Sequence, residues 1–492
     1  MPVFERRESM KKKPTDKQTV HLSVGNAAMS VKSNPDESVT AKVKSDPWWV
    51  RFLYKLGFEV EYHKEKKEKK EKISVKQLPR LAWAGVKSAA ADTRSVWLNK
   101  TAAFDKPLFV IVIVLVIVGL VMMSSASYAY SYSHYGNSMY IINKQVVATI
   151  LGVMLMLLIS TVHPSFLKGK WSYYLWGISL LLLVVVRILP GKKGVHRWIG
   201  VGSLSFQPSE IAKFTAILVC ATYIAYHYKE INVITYKSAS MKQRAARSKR
   251  FKYWYGLGRN FQTAVWPFMW RIAPILILLV LEPHLSCTII VLLIVGTQML
   301  LGGTRKEYFL TLLGLAALAI YLIVFLGVVP YGRTRIETWL DPFADAKGNG
   351  WQNVQSLYAI SSGGIFGAGF GNSRQKYMYI AEPQNDFIFS VVCEEVGLVG
   401  AIVIILIFVA FIWRGFSLSV ANPDRFQKFV GIGITSQIGY QMMLNIAVVT
   451  NMVPNTGISL PFFSSGGTSI LMLLAEIGVL LAISRESPNK VM

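Results

Sequence analysis

The sequence predicts an all-α, polytopic membrane protein with ten transmembrane helices and a large extracytoplasmic loop between helices 7 and 8. Three observations predict it. Of 492 residues, 52% are hydrophobic and only 16% are charged, against about 25% charged in soluble domains. The apolar residues gather in ten stretches, each near the ~20 residues that a helix needs to cross about 30 Å of hydrocarbon. The net charge of +26 sits in tails and loops rather than in those stretches. Basic loops are the normal companions of membrane spans, so this distribution argues for anionic lipid headgroups and against nucleic acid.

Residues 1–105 read as a basic cytoplasmic tail. The run 63–72 alternates Lys and Glu and predicts solvated helix or disorder. Trp48, Trp49, Phe52, Leu53 and Leu56 recur at helical spacing, and Leu81, Trp83, Val86, Trp97 and Leu98 form a second patch. Both lie beside Lys and Arg, as amphipathic segments on a membrane surface do. Spans are expected at 107–127, 139–162, 171–190, 208–228, 264–282, 285–302, 308–330, 385–413, 427–452 and 466–484. Cys220, Cys287 and Cys393 all fall in apolar stretches and read as buried hydrophobes, not as a disulfide framework.

Charge sets the orientation. One set of alternate loops holds Lys168 and Lys170, nine basic residues between Lys229 and Arg259, Arg305 and Lys306, and Arg414 and Arg425. The loops 128–138 and 453–465 have no Lys or Arg. The positive-inside rule places the first set, and both termini, in the cytoplasm. Loops 191–207 and 331–384 then face outward, yet they carry Arg197, Arg333 and Arg335. Basic residues against the bias point to an anionic ligand.

Several constellations could carry chemistry. Pro208 suits a helix start. Glu210 and Lys213 follow on one helix face, either as a salt bridge that pins packing or as the wall of a headgroup site. The second outward loop holds Glu337, Asp341, Asp345 and Glu382. A loop Asp is a poor base until burial or a like charge raises its pKa, and Asp341 and Asp345 could raise each other only on one helical turn. Turn formation or capping is the other use of such residues. The Gly-rich run 361–373 reads as turns or close packing, since no strand–helix unit surrounds it. Glu394, Glu395 and Glu476 lie inside expected spans, where each bonds a polar group or lines a cavity. The neutral, Pro- and Gly-rich stretch 451–469 reads as a re-entrant or broken-helix element.

The segments RWIGVGSLSFQPSEIAKF, DPFADAKGNGWQNVQS, GGIFGAGFGNSRQKYMYIAEPQNDFIFSVVCEEVGLVG and VPNTGISLPFFSSGGTS resemble, in order, the hallmarks of the SEDS family (shape, elongation, division and sporulation), the FtsW, RodA and SpoVE proteins. The resemblance covers a ten-helix domain at 106–485, with loop 331–384 inside it. It implies a peptidoglycan glycosyltransferase in the cytoplasmic membrane of a bacterium. Such an enzyme polymerises lipid II, an undecaprenyl-pyrophosphate-linked disaccharide peptide, at the outer face. A class B penicillin-binding protein and divisome or related cell-wall proteins are the implied partners. The Pro-Gln-Asn-Asp stretch resembles FtsW or SpoVE types more than RodA; an FtsW-like role in division is the expectation, a RodA- or SpoVE-type role in elongation or sporulation the alternative, and lipid II transport the rival activity.

The resemblance also implies a site. Asp345 matches the catalytic Asp of the family's D-P-x-G-x-G-[YW]-Q pattern, which continues to Gln352. Asp341 ranks second. Glu210 and Lys213 match Q-P-S-E-x-x-K, and Lys144 and Gln145 match a basic-Gln pair in the second span. Arg197, Arg333 and Arg335 join Lys213 as candidate cations for the departing pyrophosphate. Glu382 and Ser464 fall in motifs that border the eighth and tenth spans. No metal-ligand spacing in the chain demands a cofactor; a divalent cation, Mg²⁺ or Mn²⁺, could assist the pyrophosphate. The chain departs from the pattern at Ala346, at Gln384 and Asn385, at Ser465 and at His284.

Overall fold

The computed structural model describes residues 19–24, 27–32 and 103–489, apart from 190–196, 202–203, 235, 237, 283, 312–313 and 315–329. In the first of its two units, Met1–Lys87, strands β1 (Thr19–Val24) and β2 (Ala27–Lys32) pair antiparallel from Thr19↔Lys32 to Val24↔Ala27. The two aromatic patches of the tail lie outside the described residues, as does most of the expected seventh span.

The second unit is helical. Nine helices among the described residues are long and apolar enough to cross a membrane. Helix α1 (Lys106–Tyr135) starts where the Asp105 carboxylate accepts from Leu108 N at 2.9 Å and Pro107 sets the first turn, and it ends at Gly136 in the left-handed region. These are the capping signals of a helix start and stop. Then come α2 (Tyr140–Ser160), α3 (Lys170–Ile188), a short hairpin of β3 (Ile199–Val201) and β4 (Leu204–Phe206), and α4 (Pro208–Asn232). Helices α5 (Ala239–Arg247) and α6 (Lys249–Asn260) lead through a π-turn at Phe261–Val265 into α7 (Trp266–Leu281). The π-turn sits just before Pro267, which has no N–H for the helical ladder. Helix α8 (Leu285–Gly302) completes the first half.

Two shorter helices, α9 (Pro330–Leu340) and α10 (Trp351–Gly363), occupy what the sequence presents as the large loop. Helices α11 (Ile388–Ala421), α12 (Arg425–Val449) and α13 (Gly467–Ser484) finish the bundle. The eighth span therefore starts at Ile388 rather than 385, and Asn385 and Asp386 stand outside it.

The centre of the bundle is α4 and α12. Their apolar windows are 72% buried, against 28% for α2 and α11, which turn broad faces outward. Gln298 of α8 is fully buried and donates to Ile217 O of α4 at 3.2 Å and to Phe429 O of α12 at 2.9 Å. One side-chain amide thus ties three helices where no water is available to bond it.

The Arg414 guanidinium reports on topology. It grips Asp105, before the first span, at 3.1 and 2.5 Å, and Asn489 O, after the last, at 2.8 Å. Both ends of the bundle therefore lie on one face. Gly303 lies on that face as well, bonded to Asn260. Trp339, bonded to Asn451 O, lies on the opposite one. Gly303 and Trp339 thus lie on opposite faces of the bundle.

Candidate functional site

The site begins with a piece of irregular backbone inside the bundle. Between α12 and α13, the chain from Asn451 to Gly466 dips inward, with Ile458, Leu460, Phe462 and Phe463 buried. The tip packs Phe462 and Phe463 on Phe408 and Phe411 of α11. It also lies against Gly119 of α1, where a Cβ would stand 2.9 Å from Phe462 C. Non-helical backbone survives at such depth only if protein groups satisfy it, and they do. Asn445 Nδ2 donates to Ile458 O at 2.6 Å, Ser464 Oγ accepts from Leu460 N at 2.8 Å, and Gln145 Oε1 accepts from Gly466 N at 3.1 Å. The re-entrant reading of 451–469 holds.

This segment forms one wall of a small cleft of about 40 Å³. Glu210 of α4, Gln441 of α12, and Ser469 and Leu473 of α13 form the others; Ser464 and Ser465 stand at its side. Glu210 Oε1 lies 2.9 Å from Lys213 Nζ, whose side chain is only 2% exposed. Of the pair, Glu210 lines the cleft, and Lys213 is buried behind it. Close to Lys213, the turn from α7 to α8 presents two further ionisable groups. Burial pushes Glu282 up to about 7, against the pull of Arg197 and Arg187. Burial also pushes His284 down to about 3, helped by Arg197 and Lys213, so this imidazole is neutral. Arg197 donates to Glu282 O at 3.5 Å.

The acidic loop is built differently. Asp341 and Asp345 are both exposed, and residues 342–350 are turns, not helix. The shared helical turn weighed for the two Asp residues does not form. Asp341 Oδ1 accepts from Phe343 N at 3.1 Å and Ala344 N at 3.2 Å, closing its own turn. Asp345 Oδ2 accepts from Asn349 N at 2.8 Å and Asn349 Nδ2 at 3.2 Å. Gly348 supplies the room, since a Cβ there would stand 2.8 Å from Asp345 Cγ. The Gly-Asn-Gly of the motif is thus a cradle that fixes the Asp345 carboxylate.

The other candidates are dispersed around this face. Arg335 donates to Asn455 O at 2.8 Å and holds the re-entrant segment. Gln352 donates to Ala381 O at 3.2 Å, and Glu382 Oε2 accepts from Asn385 Nδ2 at 2.8 Å. Ser464 donates to Asn385 O at 2.9 Å. Lys144 is exposed and bonds the Tyr140 hydroxyl at 2.7 Å, away from the cleft lining. The Arg333 side chain lies outside the described residues. Among the described residues, no group of three or more His, Cys, Asp or Glu is placed to hold a metal ion.

The two glutamates of α11 have structural partners. Glu394 accepts from Ser373 Oγ at 2.5 Å, Arg374 N at 2.9 Å and Gln375 N at 3.3 Å. Glu395 meets Lys376 at 2.9 Å and Ser125 at 2.6 Å. Helix α11 breaks just beyond, at Gly397, with φ 68°. Leu398 N and Val399 N there bond Gly364 O and Ile365 O. The Gly-rich run 361–373 is docked into this break, as close packing predicts. Glu476 accepts from Gln437 Nε2 at 2.6 Å.

With this geometry in place, comparison with known proteins is informative. The sequence pattern of the FtsW, RodA and SpoVE proteins, described as cell cycle protein, matches residues 106–489. The chain belongs to this family. It is 34% identical over 357 residues to stage V sporulation protein E of Bacillus subtilis, covering 72% of this chain and 89% of that one. It is 32% identical to a probable peptidoglycan glycosyltransferase FtsW of Geobacter metallireducens, covering 71% and 86%. A solved peptidoglycan synthase complex contains a chain that aligns with a TM-score of 0.61 at 26% identity, covering 79% of this chain and 99% of that one. RodA of Thermus thermophilus aligns with a TM-score of 0.52 at 25% identity, over 79% and 98%. The SEDS fold thus accounts for the helical part, and the tail lies beyond the match.

Sequence reasoning passed over Asp386, Glu282 and Asn451. Asp386 borders an apolar run and was absorbed into the eighth span. Asn451 adopts φ 58° and links α9, α10 and the re-entrant segment through Trp339 O and Asn353 Nδ2. Only its neighbour Pro454 hinted at irregular backbone there.

Proposed function

We propose that this chain is an FtsW-like peptidoglycan glycosyltransferase that polymerises lipid II at the outer face of the cytoplasmic membrane, together with a class B penicillin-binding protein. The cleft carries the reading. Its wall holds Glu210, paired with the buried Lys213 behind it, and the cradled Asp345 stands on the same face of the bundle. In this reading the sugar hydroxyl of one lipid II attacks the anomeric carbon of another, and Asp345 takes the hydroxyl proton. The C–O bond to undecaprenyl pyrophosphate breaks, and Lys213, Arg197 and Arg335 stabilise the anion that leaves. The face that holds the cleft is outward, both termini are cytoplasmic, and residues 1–105 contact anionic lipids of the inner leaflet.

The test is incubation of purified protein with lipid II, alone and with its partner transpeptidase, followed by separation of glycan strands by length. Strands are expected. Transfer of lipid II between leaflets without strand formation would favour the transport alternative.

A further inference from the structure

Asp386 is the ionisable group that this account leaves unused. Its backbone is clamped, because Asn445 Nδ2 donates to Asp386 O at 2.7 Å. The neighbouring carbonyls of Gln384 and Asn385 accept from Ser465 N and Ser464 Oγ, which line the cleft. The carboxylate itself has no hydrogen-bond partner among the described residues. On one side stands Gly457, where even a Cβ would only touch Oδ2 at 3.4 Å. The charged groups that act on it are Glu382, four residues back in its own segment, and Arg197 from the hairpin side. Glu382 is held at φ 53° by the Asn385 N bond to Glu382 O at 3.0 Å. A non-glycine residue rarely adopts that conformation, and such strain gathers at functional sites. Burial and the Glu382 charge together raise Asp386 to about 6, with Arg197 opposing.

A half-buried carboxylate beside a like charge is poorly suited to meet an anion while ionised. In its protonated form it becomes a hydrogen-bond donor. We propose that Asp386 is a proton-coupled ligand of the pyrophosphate group, binding it as the neutral acid and donating its O–H to a phosphate oxygen beside the Arg197 guanidinium. The inference rests on the glycosyltransferase reading and names how that site takes its anion. Pyrophosphate adds negative charge next to Asp386 and raises its pKa further, so binding takes up a proton. By linkage, the affinity falls as pH rises above the pKa of the free protein, up to tenfold per unit.

The experiment is calorimetric titration of the full-length protein with inorganic pyrophosphate from pH 5.5 to 8, in buffers of different ionisation enthalpy. Wild type is expected to take up a proton beyond those exchanged by pyrophosphate itself, and Asp386→Asn, which keeps a donor but cannot titrate, to lose that excess. Glu382→Gln is expected to move the onset to lower pH, and Arg197→Ala to higher pH. A folded Asp386→Asn protein with the wild-type proton count overturns the proposal. So does a wild-type signal that needs Mg²⁺ in place of the proton. Strand synthesis from lipid II, measured in parallel, separates the two readings. Its absence in wild type sinks the glycosyltransferase function, whereas strands with no proton linkage sink only the role of Asp386.

Discussion

Gly348 makes room for Asp345: a Cβ at position 348 would stand 2.8 Å from the Asp345 Cγ. The constraint is space. Gly348→Ala is expected to displace the carboxylate and lower strand synthesis roughly 100-fold, the cost of moving a reacting group by about 1 Å. The melting temperature should barely move, because the turn is exposed. Full activity in the Ala variant would mean that the observed carboxylate position is irrelevant to the reaction.

Asp345→Asn retains the shape and the hydrogen-bonding capacity of the turn and removes only the base. A loss of about 10² to 10⁴ in strand synthesis is expected, with unchanged yield and melting. Near wild-type synthesis would pass the role to Asp341 or Glu337.

Lys213 and Glu210 should behave as a unit. Lys213→Ala strands Glu210 beside the cleft and should reduce activity strongly, while Lys213→Arg reduces it less. Removing one partner of a buried pair costs about 3–5 kcal/mol of stability. A double-mutant cycle with Glu210→Ala, scored on both melting and activity, isolates the coupling. Coupling in stability alone would reduce the pair to a packing device.

The Lys376–Glu395 pair predicts the reverse balance. Lys376 is buried and Glu395 Oε2 has no partner, so Lys376→Met should destabilise the protein by about 3–5 kcal/mol. Adding Glu395→Gln to Lys376→Met should restore much of that loss. Thermal unfolding in detergent measures both. Equal melting of Lys376→Met and wild type would show that the loop does not depend on this bond.

The tail should be separable from catalysis. Deleting residues 1–78 is expected to leave strand synthesis by purified protein unchanged and to alter where the protein gathers in the cell. A peptide of residues 45–100 should bind anionic vesicles, and the binding should fade with salt. A folded truncation without polymerase activity would make the tail part of the enzyme.

Much of this architecture is written in local sequence. Apolar runs set the spans, Asp105 and Pro107 mark the start of α1, and Pro208 marks that of α4. The Pro- and Gly-rich stretch 451–469 announces irregular backbone. The eighth span was set too early because the apolar run from Phe387 absorbs the polar pair before it. Helices α9 and α10 stayed hidden because their pattern mixes aromatic and polar residues without a membrane-length run. The partners of Glu395 were unreadable for another reason: Ser125 is 270 residues away, and no periodicity encodes such a pairing. Likewise, the motif offers Asp345 but says nothing of the Gly348 approach that fixes it.

The grip of Arg414 on Asp105 and Asn489 brings the two ends of the helical unit to one point. The residue before the first span meets the end of the last at this guanidinium and at the Asp105 N–Ser484 Oγ bond of 3.0 Å, so the order in which the spans are connected is separable from their packing. A short linker from Asn489 to Asp105 would leave every helix in place, and the chain could then be opened elsewhere, at the exposed turn near Asn137. Arg414→Ala, by contrast, would unfasten both ends at once, and fraying would start at α1 and α13 together rather than at either alone.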